Sequence, residues 1–179
     1  MLLDHYRAMA RYNAWMNEKL YAKCAELTEQ ERTRDMGAFF GSIHGTLNHI
    51  LLADHAWMRR FTGDVEGFAF RDAHGEPIEV RSLDQVLYPD FRDLRSVRQT
   101  SDAKIQIWVE GLIEESLRSL LRYRTSTGEE HEHPIWWALS HFFNHQTHHR
   151  GQVTTLLKQL GIDPGVTDLA VMLRSGSHP

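Results

Sequence analysis

Apolar side chains recur every three to four residues over four long stretches of the chain, which is the spacing of amphipathic helices. Gly63 and Gly161 are the expected stops of the second and fourth stretches, and Pro134 suits the first turn of the fourth. Pro89 lies inside the third stretch and marks a place where that helix can break. The pattern therefore predicts long helices over residues 2–26, 39–62, 83–115 and 134–160.

The segments between these helices carry their own signals. Thr28 and Glu31 have the spacing of a capping box, which predicts a short extra turn of helix. Residues 63–82 are polar and contain glycine, which predicts a long loop. Residues 117–133 predict a small β-hairpin or extended connection, and a last short helix follows Thr167. The predicted fold class is all-α, a four-helix bundle with a small extended or hairpin insert between helices three and four.

Composition limits the classes of protein to consider. The chain of 179 residues, 41% hydrophobic and 25% charged, is predicted to form one domain, 1–179. Its net charge of −4 and interspersed charges predict no nucleic-acid partner. No apolar run approaches the ~20 residues of a membrane helix, so no membrane partner is expected. The first residues lack the features of a signal peptide, and the single cysteine, Cys24, fits a reducing cytoplasm, the predicted location.

Histidine is the compositional anomaly, with 12 in the chain and four of them close together in the fourth helix. His145 and His149 lie one turn apart on an otherwise apolar face. His141 is another turn back, and His148 is rotated to one side. Two imidazoles that point into a core are either satisfied core histidines or two ligands of a metal. Gln146 stands where zinc proteases need a glutamate, which excludes that chemistry.

A third ligand must come from another helix. His49 lies in the middle of helix two and shares its apolar arc, which makes it the natural third ligand. His44 and His55 lie off this arc and are predicted to point outward, and His74 is expected to be solvated in the loop. Glu-His-Glu-His at 130–133 is interpreted as a solvated strand. Three neutral imidazoles with open positions for water or substrate are typical of catalytic zinc sites.

A further signal comes from six segments of the chain, residues 12–20, 46–54, 94–102, 144–152, 163–164 and 167–169. Together they resemble the DinB family of bacterial metal-binding four-helix bundles, which is unrelated to the DNA polymerase of the same name. The resemblance implies His49, His145 and His149 as ligands of a divalent metal ion, with zinc first and nickel, iron or manganese as alternatives. It also implies homodimers.

Members of that family include transferases and isomerases that use low-molecular-weight thiols. The first hypothesis is therefore a metal-dependent enzyme, a thiol S-transferase or a hydrolase, with a small-molecule thiol and an electrophile as partners. The alternative is a non-enzymatic, dimeric stress-response bundle whose metal is structural or sensory. A metal that solvent can reach favours the enzyme, whereas a metal sealed by apolar side chains favours the alternative. No catalytic residue is assigned from the sequence.

Metal-bound imidazoles nearly always donate their other ring nitrogen to a neighbouring group. Asn13, Asp102 and Gln152 are polar residues expected to point inward, and Asp102 is the first choice because a carboxylate raises ligand basicity most.

The fourth helix also carries Trp136 and Phe143, which are predicted to point away from the histidine face. Such a second apolar stripe needs a cover, either the 63–82 loop, the 117–133 segment or a second subunit.

Overall fold

The computed structural model describes residues 2–125 and 127–176. Within these ranges no helix is long and apolar enough to cross a membrane. The elements in chain order are α1 (Leu2–Cys24), α2 (Glu29–Thr33), α3 (Ile43–Thr62), α4 (Phe91–Glu110), α5 (Glu114–Arg118), β1 (Leu120–Arg124), β2 (Glu130–Pro134), α6 (Ile135–Gln159) and α7 (Leu169–Arg174).

The four long helices form the predicted bundle. Helix α1 packs against α4 and α6, and α3 packs against the same two helices. Strands β1 and β2 pair antiparallel, from Leu120 opposite Pro134 to Arg124 opposite Glu130, and contact α3 and α6. The bundle with a small hairpin between the third and fourth long helices is confirmed, as is the capping box that starts α2.

Two helices begin later than the periodicity predicts. The third long helix begins at Phe91 rather than at residue 83, because Pro89 disfavours helical backbone before it and the Asp90 side chain accepts the backbone N–H of Arg92 at 2.7 Å. The second long helix begins at Ile43 rather than at residue 39, because the side chain of Ser42 caps it by accepting the backbone N–H of Gly45. Local capping chemistry therefore decides both boundaries.

The prediction that His44 and His55 point outward is wrong. Both are buried, because the long segment between α3 and α4 folds back over α3 and supplies hydrogen-bond partners. His44 Nε2 lies 2.8 Å from the carbonyl oxygen of Tyr88. His55 bridges the carbonyl oxygen of Phe68 at 2.9 Å and the Ser101 hydroxyl at 2.6 Å. The periodicity of α3 cannot show that this segment covers the helix, which is why the prediction was wrong.

The outer stripe predicted on the fourth long helix is also wrong in part. Phe143 is 2% exposed and stacks on Tyr6 of α1, with ring centroids 6.3 Å apart. Its cover is therefore α1 of the same chain, while Trp136 stays 41% exposed. The homodimer remains a prediction.

The bundle interior contains a buried polar layer between two apolar clusters. One cluster includes Leu20 and Leu51, and the other includes Ile105 and Phe142. Every long helix contributes to the layer that separates them. Its members are Asn13, Asn17, Asp54, Arg98, Asp102, Gln146 and Arg150, all at least nine-tenths buried.

Arg98 is the centre of this layer. Its guanidinium lies 2.6 Å from Asp54 and 2.8 Å from Asp102, which places one cation between two carboxylates. Asn17 donates to both oxygens of Asp102 at 2.9 and 3.1 Å, and Gln146 donates to Asp54 at 2.9 Å. Burial lowers the pKa of Arg98, but the two carboxylates outweigh burial and raise the pKa above its usual range. Arg98 is therefore a fixed positive charge.

Replacement of Arg98 by methionine is expected to lower the free energy of unfolding by about 3–5 kcal/mol, since it leaves two buried carboxylates without their cation. Urea unfolding followed by circular dichroism measures the change. Arg122→Met is the matched control, because Arg122 pairs with Glu132 on the exposed face of the hairpin. Equal losses in both variants would contradict a central role for Arg98.

Candidate metal centre

Three histidine side chains meet at the surface between α3 and α6. The i, i+4 spacing places His145 and His149 on the same face of α6, with their Nε2 atoms 3.1 Å apart. His49 reaches them from α3, with its Nε2 3.2 Å from Nε2 of His145. Among the described residues, these three form the group of side chains that could hold a metal ion.

Hydrogen bonds at the far side of two rings fix their tautomers. His49 Nδ1 lies 2.8 Å from the backbone carbonyl oxygen of Leu83, so this nitrogen must carry the proton and donate it. His149 Nδ1 lies 2.8 Å from Oε1 of Gln152 and donates in the same way. The Nε2 atoms of both rings then present lone pairs to each other and to His145. These are the tautomers that a metal ligand requires.

The ligand geometry fits a small divalent cation. His145 has a single Nε2 proton at most, so it cannot satisfy the lone pairs of His49 and His149 together. Ligands about 2.0–2.1 Å from a tetrahedral zinc ion lie about 3.3 Å apart, close to the observed separations of 3.1 and 3.2 Å. A cation between the three nitrogens removes the lone-pair repulsion. Three protein ligands leave at least one position for another ligand.

Phe40 covers one side of the cluster. Its ring stacks on His49 with centroids 3.7 Å apart and meets the edge of His149 at 5.5 Å. The turn that carries Phe40 lies against the first turn of α3, where a Cβ on Gly45 would be 2.3 Å from the carbonyl oxygen of Phe40. Only glycine at position 45 permits this approach, so Gly45 helps to place the aromatic cover.

The electrostatic environment keeps the imidazoles neutral. Burial lowers the pKa of His49 and His149 below the usual value of a histidine. Burial, followed by the effect of neighbouring histidines, lowers the pKa of His145 to about 3. Neutral imidazole is the form that binds metal.

The family model of the DinB family matches residues 1–176. The chain belongs to the DinB family. It is also 25% identical over 164 residues to Protein DinB of Bacillus subtilis (strain 168), a match that covers 90% of each chain. This places the histidine cluster in a DinB fold, and the family resemblance of the separate sequence segments is confirmed over nearly the whole chain.

The structure of this DinB protein changes the predicted partners of the histidines. Gln152 contacts His149 as predicted, but Asp102 does not reach any of the three rings. Its carboxylate binds Arg98, Asn13 and Asn17 instead, because the buried cation lies closer to it.

Sequence reasoning missed two groups at the centre. One is the carbonyl oxygen of Leu83, which a sequence pattern cannot show because every residue has one. The other is the ring of Phe40, because the periodicity predicts that this residue lies inside the second helix. Ser42, a preferred helix N-cap residue that follows Gly41, was the signal that the helix starts after Phe40.

We expect His49→Ala, His145→Ala and His149→Ala each to abolish tight binding of a divalent metal, since two imidazoles alone make a weak site. Gln152→Ala is expected to weaken metal affinity by about 10–100-fold, because it removes the hydrogen bond that orients His149. Elemental analysis of protein purified without a nickel column, followed by zinc competition titration, measures both effects.

His148→Ala is the matched control for these variants, since His148 is a neighbouring exposed histidine outside the cluster. Metal content that falls in the control as much as in the ligand variants would refute the assignment.

The metal-free protein should lose stability as the pH falls from about 7 to about 5. The unfolded chain takes up protons near pH 6.5, whereas folded His145, with its pKa lowered to about 3, does not. Acid therefore favours the unfolded state, by about 1–2 kcal/mol for this residue over that interval. Urea unfolding at both pH values of the wild type and of His145→Gln tests this. The variant should show the shallower pH dependence, and identical dependences would contradict the prediction.

Proposed function

We propose that this protein is a metal-dependent enzyme of the thiol S-transferase type, which joins a low-molecular-weight thiol to an electrophile. The observation that supports it is the partial solvent exposure of His145 within a three-nitrogen cluster, which leaves a ligand position that a substrate can reach. A structural site would be closed by a fourth protein ligand.

A bound divalent cation supplies a Lewis acid that lowers the pKa of a thiol or water and favours its nucleophilic form at neutral pH. The protein's own groups bind this ion and orient its ligands. His49, His145 and His149 would bind the ion, with zinc as the first choice. The carbonyl oxygen of Leu83 and Oε1 of Gln152 accept hydrogen bonds from Nδ1 of His49 and of His149, which keeps the proton on these nitrogens. No carboxylate belongs to the group within the described residues, so three neutral ligands leave the full charge of the ion available.

Space for a substrate lies next to the cluster. A surface cavity of about 500 Å³ is lined by Gln152 and His148 on α6 and by Met36 and Phe39 from the turn before α3. Phe40, which follows Phe39, covers His49 and excludes water from one side. The cavity reaches Gln152, the hydrogen-bond partner of His149, so a substrate held there would lie next to the cluster.

In the proposed reaction the thiol sulfur forms a bond to an electrophilic carbon, the bond from that carbon to its leaving group breaks, and the thiol proton passes to solvent. The zinc-loaded protein should form thioether from an alkyl halide and at least one of bacillithiol, mycothiol or glutathione. Liquid chromatography with mass spectrometry measures the product. His145→Ala should reduce the rate to background, while His74→Ala, at an exposed histidine of the loop before α4, should leave the rate unchanged.

Tight metal binding without turnover for any of the three thiols would contradict the proposed enzyme. It would favour instead a non-enzymatic bundle with a structural or sensory metal, in which Phe40 acts as a permanent cover.

A further inference from the structure

A second feature lies along the surface between α3 and α6, nearer the β-hairpin. We call this surface, from the histidine cluster to Arg60, the groove. Arg60 is 11 positions after His49 on α3, which is three helical turns and about 16 Å along the axis on the same face. Between them the same face carries Ala53 and Ala56, whose small side chains project little from the helix. On the opposite wall His141 lies one turn before His145, with ring centroids 5.9 Å apart.

Aromatic rings hold the guanidinium of Arg60 in place. It lies 4.6 Å from the ring centroid of Trp57 and 4.8 Å from that of Tyr123 on strand β1. Trp57 also contacts His141 at 5.1 Å, so Arg60 and the groove wall share one aromatic neighbour. Cation–π contacts of this kind fix a guanidinium without using its N–H donors.

Arg60 has no acidic partner within ion-pair distance among residues 2–125 and 127–176. Successive side chains of a strand point to opposite faces, so the acidic residues of the hairpin that pair with its arginines lie on the face opposite to Tyr123. Glu130 pairs with Arg124 and Glu132 pairs with Arg122 on the outer face. The inner face instead contributes the ring of Tyr123 to the Arg60 contact.

The side chains near Arg60 on the inner face are aromatic rings and histidines rather than acids. His133 contacts the hydroxyl of Tyr123 at 3.2 Å and lies against Trp137, with ring centroids 4.3 Å apart. A half-buried guanidinium with unused donors, held between two aromatic rings, matches the geometry of carboxylate and phosphate oxygens.

We propose that Arg60 is an anion-binding group that holds the carboxylate or phosphate end of a small-molecule ligand whose other end reaches the three-histidine cluster. The distance along α3 sets the length of such a ligand at about 16 Å or somewhat less, since the Arg60 side chain can lean along the groove. The span to the cluster rests on the proposed function, whereas anion binding at Arg60 does not.

Anion binding is tested on the metal-free protein. Benzoate and inorganic phosphate are titrated separately while the indole N–H of Trp57 and the Nε–H of Arg60 are followed by nuclear magnetic resonance. We expect a saturable shift of the Trp57 signal with at least one anion, and the stronger response identifies carboxylate or phosphate as the preferred group. Absence of a saturable shift with both anions overturns the proposal.

The variants separate Arg60 from general positive charge. Arg60→Gln should weaken the binding of the anion at least tenfold. Arg60→Lys, which keeps the charge but loses the planar guanidinium, should weaken this binding less. Arg122→Gln is the matched control, because Arg122 lies on the outer face of the same hairpin and should leave binding unchanged. Equal weakening by Arg122→Gln and Arg60→Gln would overturn the assignment to Arg60. Circular dichroism checks that all variants are folded.

The span is tested on cobalt-loaded protein with mercaptoundecanoic acid and mercaptoundecanol, which differ only in the anionic end. The acid should bind at least tenfold more tightly than the alcohol. Arg60→Gln should abolish this difference without changing the affinity for the alcohol. Equal affinities in the wild type overturn the span. Absence of a thiolate-to-cobalt absorption band with both thiols defeats the proposed function, while the titration of the metal-free protein still decides anion binding at Arg60.

Discussion

The contact on which the rest of this structure depends is the buried guanidinium of Arg98 between Asp54 and Asp102. It joins α4 to α3 directly and reaches α1 through the amide of Asn17. Removing any one charge would leave the others buried without compensation, which is far more costly than the loss of an exposed ion pair. Two apolar clusters above and below provide burial, but a bundle with only apolar layers could slide in register. The polar layer fixes which residues face each other across all four helices.

The same layer orients the candidate metal centre. Gln146 and Arg150 directly follow His145 and His149 on α6 and are rotated from them by about 100°, toward the bundle interior. Gln146 donates to Asp54, and Arg150 donates to Asn13, so both anchor the inner face of α6 to the layer. A rotation of α6 that misplaced the histidines would also break these buried hydrogen bonds. The histidine cluster is therefore positioned by contacts of residues that do not belong to it.

Features that depend on a single helix could be predicted from the sequence. Features that depend on a segment far along the chain packing against that helix could not. The i, i+4 pair on α6 and the mid-helix position of His49 follow from helical periodicity alone. The burial of His44 and His55 depends on Tyr88 and Phe68, which belong to the long crossing between α3 and α4. Asp102 was a sound candidate by residue type, yet it is already engaged by a buried cation on its own helix.

The charges of the two sites indicate what kind of ligand the groove would accept. The polar layer balances itself, because Asp54 and Asp102 offset Arg98 and Arg150, and Arg150 stays cationic although burial lowers its pKa to about 10. This layer thus leaves no carboxylate unpaired, and within the part of the chain that the structure describes no carboxylate joins the three imidazoles. A divalent ion there would keep its full charge and attract an anionic donor. Arg60, at the other end of the groove, is a second cation without an acidic partner in the described part of the chain. Both ends of the groove therefore favour negative charge, and an acidic thiol with an anionic tail would satisfy both at once.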